Sequence, residues 1–154
     1  MKISMKTDYA LRALFTLVEY YGGQPIPIRE LARRNEIPKS FLEHILLQLK
    51  ARGWVESVPG KNGGYVLARR PEAITMGEVV RQFEGLLSPI DCVSASHRRR
   101  CSQEAVCRFR RLFLEVRNQS TRLMDGATLA SVMSGQPVRD EEVSDLQLTF
   151  GAGI

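Results

Sequence analysis

Apolar residues in the first fifty positions recur at helical spacing in three segments. The first helix is predicted over residues 7–21, with Thr7 as its cap and one buried face. That face comprises Ala10, Ala13, Leu14, Leu17, Val18 and Tyr21. A short second helix is predicted over 28–34 and a third over 39–52. The third would bury Phe41, Leu42, Ile45, Leu46 and Leu49. Since a four-residue turn joins the last two, the pattern is typical of a helix-turn-helix.

Two short β-patterned segments follow the third helix directly. Strands are predicted over 54–58 and 65–68, separated by the glycine-rich turn 59–64. A helix-turn-helix followed by such a hairpin is a winged helix. Its recognition helix would enter a major groove, and its wing would reach a minor groove or phosphates.

The C-terminal half predicts a different arrangement. Thr75 caps a helix that ends at Glu84, and 85–100 lacks periodicity and is interpreted as a loop. Ser102 would cap a long helix reaching Met124, with apolar residues at alternating spacings of three and four. This seam comprises Val106, Phe109, Phe113, Val116, Ser120 and Leu123. It favours a helix that pairs with a second subunit in a dimer. Leu112 widens the apolar stripe, so packing of this helix against its own domain is the alternative. A last short helix is predicted over 128–133, and the tail from Gln136 is expected to be loosely ordered.

The predicted fold class is therefore mainly α with a small β-hairpin: a winged helix-turn-helix domain plus a long dimerisation helix. We divide the chain into a DNA-binding domain (1–84), a cysteine-bearing sensor loop (85–101), a dimerisation helix region (102–135) and a flexible tail (136–154).

The charge distribution indicates a polyanionic partner for the first half. Residues 1–71 hold 12 Lys and Arg against 6 Asp and Glu, whereas 72–154 hold 10 against 11. An ordinary solvated surface is the alternative, but a basic helix-turn-helix favours double-stranded DNA. No apolar run is long enough to span a membrane and no signal peptide is recognisable, so a cytoplasmic location is expected.

Candidate DNA contacts lie on the outward face of the third helix and in the wing. Lys39 and Ser40 suit phosphates near the helix start, and Glu43, His44 and Gln48 suit base edges. The wing turn offers Lys61, Asn62 and Gly63. Each residue alone could equally be an exposed polar position.

All three cysteines fall within sixteen residues, as Cys92-x8-Cys101-x5-Cys107. Three is one short of the four protein ligands typical of a zinc or iron–sulfur site, and it leaves no complete disulfide set. Neighbouring arginines, and a helix N-terminus near Cys107, favour the thiolate form. That form suits metal ligation or a thiol switch in which a sulfenate on one cysteine condenses with another. A cysteine-dependent enzyme or cluster carrier is the remote alternative, because no nucleophile–base set has a recognisable spacing.

The chain resembles the IscR/NsrR/RirA family of bacterial winged-helix regulators. The resemblance rests on residues 1–4 with 8–14, 37–43, 63–67 and 74–79, followed by a cysteine loop and a long helix. It implies a homodimer on palindromic DNA, with the long helices crossing to the partner subunit. It also implies a 2Fe-2S or 4Fe-4S cluster on Cys92, Cys101 and Cys107. The eight-residue first spacing is longer than the usual pattern.

The resemblance leaves the fourth ligand open. IscR-like members have a histidine three residues after the last cysteine, where this chain has Arg110. NsrR-like members use an aspartate of the partner subunit's first helix, and Asp8 matches that place. Asp8 could instead complement the helix dipole. His97, in the cysteine loop, is a further candidate, also for a zinc site. Cysteine oxidation without a cofactor, or no sensing at all, remains the alternative. The wing also departs from the family where Pro59 replaces an arginine, which leaves the groove contact to Lys61 and Asn62.

Overall fold

The order of the helices and strands is that of a winged helix followed by a helical appendage. The computed structural model describes residues 2–144. Its elements are α1 (Met5–Glu19), α2 (Ile28–Asn35), α3 (Lys39–Ala51), β1 (Val55–Val58), β2 (Gly64–Leu67), α4 (Met76–Glu84), α5 (Arg110–Gly126), α6 (Leu129–Met133) and α7 (Asp140–Ser144). Single 3₁₀ turns occur at Pro71–Ala73 and Asp91–Val93. The predicted mainly helical fold with one antiparallel hairpin is confirmed.

Helix α1 begins earlier than its pattern predicts. Ser4 is the N-cap, and its hydroxyl accepts a hydrogen bond from the Thr7 backbone N–H at 3.3 Å. The prediction that Thr7 caps the helix is wrong: Thr7 is fully buried inside α1, and its hydroxyl bonds to Glu84. The predicted buried face is correct up to Leu17, whereas Tyr21 lies beyond the helix end and is exposed.

The helix-turn-helix is built on a continuous apolar core. Ile37, only 4% exposed, holds the turn between α2 and α3, while Glu36 adopts a left-handed conformation at the end of α2. Helix α3 buries Leu42, Ile45, Leu46 and Leu49. The prediction that Phe41 is buried is wrong, because its side chain is 61% exposed. Phe41 lies at the edge of the apolar face of α3, and the other four residues alone form the part of that face that packs into the core.

The wing contains a third piece of extended backbone that the sequence pattern does not reveal. Strands β1 and β2 pair from Val55 with Leu67 to Val58 with Gly64. Ile26 adds two further hydrogen bonds to Tyr65, at 3.0 Å and 2.9 Å. Because this segment passes so close, a Cβ on Gly64 would lie 2.3 Å from the Ile26 carbonyl. Position 64 therefore requires glycine.

Helix α4 begins as predicted, with a capping box between Thr75 and Glu78. Its N–H at Met76 donates to the Ala127 carbonyl at 2.8 Å, so the end of α5 lies beside the start of α4. Arg81 and Asp125 form an ion pair at 2.5 Å between the same two helices. The C-terminal helices are thus fixed to the base of the winged helix.

The long helix α5 starts later than its pattern predicts. Residues 102–106 form consecutive turns, so the prediction that Ser102 caps the helix is wrong, and Cys107 lies before the helix begins. None of the residues of α5 is fully buried within the chain, and Leu112 and Leu123 are 63% and 76% exposed. Five residues of the tail form the short helix α7, and 145–154 lie outside the described residues. Within 2–144, each helix is too short or too polar to cross a membrane.

Candidate DNA interface and cysteine site

The outward face of α3 presents the polar residues that the sequence predicts as DNA contacts. Lys39, Ser40, Glu43 and His44 are exposed, and Gln48 is partly exposed. The Lys39 ammonium lies 3.3 Å from the Glu43 carboxylate one helical turn later. This pair leaves a mixed donor and acceptor surface at the start of the helix.

The ring of His44 has a fixed orientation. Its Nδ1 lies 2.7 Å from the Ser40 carbonyl oxygen, and because a carbonyl only accepts, Nδ1 donates. In the neutral ring, Nε2 is then an acceptor that points away from the backbone. Such an acceptor can receive a hydrogen bond from the amino group of adenine or cytosine.

The tip of the wing exposes Lys61 and Asn62. Gly63 contributes through its backbone rather than as a surface group, since its N–H donates to the Gly60 carbonyl at 3.0 Å. A Cβ there would lie 2.2 Å from the Val58 carbonyl oxygen. The glycine therefore shapes the turn that carries the lysine outward.

An apolar groove of about 680 Å³ runs between α1 and α3, beside the polar face. It is lined by Met5, Tyr9 and the exposed Phe41 together with Ser40 and His44. The sequence did not indicate this groove, because Phe41 was predicted to be buried in the core.

The three cysteines line one cavity of about 400 Å³ at the foot of α5. Cys92 and Cys107 are partly buried, Cys101 is exposed, and all three are free thiols. Within residues 2–144, no three side chains of Cys, His, Asp or Glu lie close enough together to hold a metal ion. The fold therefore gathers the thiols around one space without placing them at ligating distance.

Arginine side chains of α5 hold the turn that carries Cys92. Arg110 donates to the Cys92 carbonyl at 3.1 Å, and Arg117 donates to the Val93 carbonyl at 2.7 Å. The two arginines are seven residues apart and so share one face of α5. Arg110, which stands at the position of the IscR-like histidine, thus holds the backbone of the Cys92 turn in this chain.

A second, wider cavity of about 650 Å³ opens beside Cys92 and Cys107. Its lining includes four guanidinium groups, those of Arg98, Arg110, Arg111 and Arg117. The arginine-rich surroundings predicted for the cysteines are therefore present. This positive charge can offset the negative charge of thiolates.

Glu104 is a site residue that the sequence interpretation missed. It lines both cavities, and its Oε2 accepts a hydrogen bond from Arg98 at 2.9 Å and lies 3.7 Å from Arg110. The hydrogen bond from Arg98, assisted by the charge of Arg110, lowers the pKa of Glu104. Its other oxygen, Oε1, is buried without a hydrogen-bond partner, as is Nε of Arg110. The available signal was its position, three residues from Cys101 and three from Cys107.

The other two proposed ligands lie elsewhere within one chain. Asp8, in the first turn of α1, pairs with Arg12 at 2.8 Å. His97 is in the cysteine loop, where its backbone N–H donates to the Ser94 hydroxyl at 2.9 Å. The residues that line the two cysteine cavities include neither of them.

Comparison with known proteins decides the family. Residues 3–135 match the Rrf2 family, described as iron-dependent transcriptional regulators. The chain belongs to the Rrf2 family. An Rrf2-like HTH-type transcriptional regulator of Rhodobacter capsulatus is 39% identical, over 88% of this chain and 95% of the relative. The regulator NsrR of Geobacillus kaustophilus is 35% identical, over 86% and 90%. These relatives are transcriptional regulators, which confirms both the resemblance and the prediction that the chain is not an enzyme.

Solved structures of Rrf2 regulators share this fold. CymR of B. subtilis, described as its global cysteine regulator, superposes with a TM-score of 0.75 at 29% identity, over 89% of this chain and 99% of its own. IscR of T. potens gives 0.68 at 26%, over 93% and 96%. The oxidised form of Staphylococcus aureus CymR gives 0.70 at 26%, over 90% and 100%.

Proposed function

We propose that this Rrf2 regulator is a homodimer that binds palindromic double-stranded DNA, with an affinity set by an iron–sulfur cluster on Cys92, Cys101 and Cys107. The observation that carries the proposal is that one cavity gathers all three thiols. The boundaries 1–84, 85–101, 102–135 and 136–154 remain our proposed division of labour. Because the regulator acts on DNA in a bacterial cell, we assign it to the cytoplasm.

The DNA contacts are assigned to α3 and the wing. In this scheme Lys39, Ser40 and Lys61 approach phosphates, while His44 and Gln48 reach base edges. Glu43 is held by Lys39 in the free chain, so it must exchange this partner for a cytosine amino group. Asn62 and the backbone of Gly63 complete the wing contact.

The donor set suits a cluster in its chemistry. Three sulfur donors border one cavity, and guanidinium groups around it can offset negative charge. When bound, a cluster would make the site sensitive to iron supply, oxygen or nitric oxide. Since the donors are not at ligating distance, the loop must close around it.

The hydrogen bonds that hold the Cys92 turn could transmit a movement of the cysteines to the DNA-binding half. Arg110 and Arg117 fasten that turn to α5, and Arg81 with Asp125 fastens α5 to α4. A displacement of the turn would therefore bias α4 and the winged helix between alternative positions.

The test is purification without oxygen. We expect a coloured protein that contains iron and acid-labile sulfide, and we expect DNA affinity to change when the iron is removed by a chelator. Replacement of any of the three cysteines by serine should abolish both the colour and the response. A colourless wild-type protein that takes up neither iron nor sulfide would exclude the cluster.

Thiol oxidation is the second candidate. It is favoured because, among residues 2–144, no three potential ligand side chains lie close enough together to hold a metal ion. A peroxide would oxidise one thiolate to a sulfenate, which condenses with a second thiol to a disulfide and releases water. Oxidation of metal-free protein separates the two candidates. DNA affinity that changes reversibly with a disulfide among these cysteines, without iron, favours the thiol switch.

A further inference from the structure

The wider cavity beside Cys92 and Cys107 has the size and the charge of a binding site for a small anion. Its volume of about 650 Å³ falls within the usual range of small-molecule sites. Among the described residues, the charged groups of its lining are four guanidinium groups and one carboxylate. Guanidinium groups bind carboxylates and phosphates through paired hydrogen bonds, so an anion is the class of ligand that this lining would take.

The guanidinium groups come from two segments that the fold holds together. Arg98 lies in the cysteine loop, whereas Arg110, Arg111 and Arg117 lie on α5. Arg110 and Arg117 donate to backbone carbonyls of the turn at Asp91–Val93, at 3.1 Å and 2.7 Å. These bonds keep the loop and the helix side by side, so the positive wall is formed before a ligand arrives.

Glu104 offsets only part of this positive charge. Its carboxylate accepts a hydrogen bond from Arg98 at 2.9 Å and lies 3.7 Å from Arg110. Arg117 donates to neutral groups, among them the side-chain oxygen of Asn118 at 2.7 Å. Because one carboxylate cannot balance four guanidinium groups, an incoming anion would meet net positive charge.

Two of the three thiols belong to the lining of the wider cavity. Cys92 and Cys107 border it and are partly buried, whereas Cys101 is exposed and borders the smaller cavity instead. An anion attracted by the guanidinium groups is therefore concentrated beside two sulfur nucleophiles. A disulfide bond within that anion would be exposed to their attack.

We propose that the wider cavity recruits small anionic disulfides and directs thiol–disulfide exchange to Cys92 and Cys107. One of these thiols releases its proton to solvent, and the thiolate attacks a sulfur of the bound disulfide. A new sulfur–sulfur bond joins the cysteine to one half of the ligand, and the other half leaves as a thiolate that takes up a proton. The cysteine is oxidised and the departing half is reduced, so the disulfide of a small thiol acid is the only co-reactant.

This inference goes beyond the proposed function and does not depend on a bound cluster. It concerns the reduced, metal-free chain, and it differs from oxidation by peroxide because the oxidant is selected by its charge. The attached acid group would compete with the carbonyls of the turn at Asp91–Val93 for Arg110 and Arg117. Modification would thereby loosen the same turn that links the cysteines to α5.

The experiment compares exchange of the reduced, metal-free full chain with two small symmetric disulfides of opposite charge. Dithiodiglycolate is the anionic probe and cystamine is the cationic probe. Their leaving thiols differ in acidity, so each rate constant is divided by that of mercaptoethanol with the same probe. Variants that keep one cysteine and replace the other two by serine assign a rate to each thiol, and mass spectrometry identifies the product.

We expect a preference for the anionic probe at the two thiols of the wider cavity. At low salt, the normalised rates of Cys92 and Cys107 should be at least about tenfold higher with dithiodiglycolate than with cystamine, as electrostatic focusing allows. Added salt should reduce this preference, because ions screen the attraction. Cys101 reacts fastest with both probes if exposure alone decides, so a larger anion-to-cation ratio at Cys101 than at the other two would overturn the inference.

Arg111→Gln removes one charge from the lining and leaves the hydrogen bonds to the Cys92 turn in place. The rate with the anionic probe should fall at least about threefold at Cys92 and Cys107, and the rate with the cationic probe should rise. Arg122→Gln is the matched control, since it removes the same charge farther along α5, where Arg122 pairs with Glu115 at 2.8 Å. Equal effects of the two substitutions would show that net charge, not the cavity, selects the probe.

Glu104→Gln makes the opposite change within the same lining. Loss of the carboxylate should raise the rate with the anionic probe, and circular dichroism shows whether each variant is folded. Should Arg111→Gln fail to fold, Glu104→Gln decides. A rate that is unchanged or lower in Glu104→Gln would overturn the assignment of the cavity as the site that binds the anion.

Discussion

The Glu84 carboxylate accepts hydrogen bonds from both the backbone N–H and the hydroxyl of Ser4, at 2.8 Å and 2.5 Å. The buried Thr7 hydroxyl donates to the same oxygen. These contacts join the end of α4 to the start of α1, one residue before the cysteine loop begins. They are therefore a second mechanical link between that loop and the DNA-binding half.

Replacement of Glu84 by glutamine should destabilise the fold by about 1–2 kcal/mol at neutral pH, because Ser4 and Thr7 would then donate to a neutral amide oxygen instead of a charged carboxylate. Burial disfavours the ionised form of Glu84, but the hydrogen bonds from Ser4 and Thr7 outweigh it and lower its pKa below the ordinary 4.5. A lowered pKa stabilises the fold above that value, and the contribution is lost as pH falls through the folded-state pKa. The difference between wild type and Glu84→Gln in urea unfolding should therefore shrink below about pH 4.5.

Glu56→Gln is the control for this experiment, since Glu56 is exposed on β1. It should unfold like wild type at every pH. An energy difference for Glu84→Gln that stayed constant down to pH 2 would contradict the role of the ionised carboxylate.

Gly64→Ala should destabilise the wing, because the added Cβ would lie 2.3 Å from the Ile26 backbone and must push the two segments apart. We expect a loss of about 1–3 kcal/mol in the free energy of unfolding, the range of overpacked cores. Gly126→Ala is the matched control: nothing lies within 4 Å of its Cβ, so it should be neutral or stabilise by up to about 1 kcal/mol. Equal effects of the two substitutions would refute the close approach.

Short-range signals predicted most of this fold. The helix cap at Thr75 and the glycine-rich wing turn each depend on a few neighbouring residues, and both form as predicted. Thr7 shows the limit of such signals. Its side chain matches a cap, but a carboxylate 77 residues away determines its partner, and Ser4 takes the cap.

The cysteine site was only partly predictable for the same reason. Its thiols and arginines are visible in the sequence, and the late start of α5 is not, because helix propensity continues through residues 102–109. The exposure of Phe41 and the contact of Ile26 with Tyr65 also arise only from tertiary packing. Glu104 needed the structure, since its unpaired oxygen is a property of the folded loop.

Lys61→Ala should weaken DNA binding to all sequences by a similar factor and reduce the slope of log affinity against log salt by about 1. The reason is that an exposed lysine at the wing tip would neutralise a single phosphate. Titration of the operator and of unrelated DNA at several salt concentrations measures this slope. Arg139→Ala removes the same charge outside the winged helix and should leave the slope unchanged. If both variants behave alike, the effect is one of net charge rather than of contact.

Arg117→Ala should loosen the turn that carries Cys92. The lost hydrogen bond to the Val93 carbonyl, from a charged donor, corresponds to roughly tenfold faster amide exchange in the turn. Hydrogen–deuterium exchange of residues 91–95 provides the measurement. Arg122→Ala is the control, because Arg122 lies on the same helix but pairs with Glu115. Unchanged exchange in Arg117→Ala would show that Arg110 alone holds the turn.

Leu123→Glu should shift the protein from dimer towards monomer. Leu123 is 76% exposed within one chain, so the alternative that this seam packs against its own domain fails at this position. A dimer would place the two Leu123 side chains on the shared apolar surface of α5, where a glutamate from each subunit is desolvated and unpaired. We expect the dimer dissociation constant to rise at least about thirtyfold, equivalent to about 2 kcal/mol for a central contact. Sedimentation equilibrium measures it. Val138→Glu makes the same chemical change at an apolar residue outside the seam, 70% exposed, and should remain dimeric. A dimer that tolerates Leu123→Glu as well as Val138→Glu would place the subunit contact on another surface of the chain.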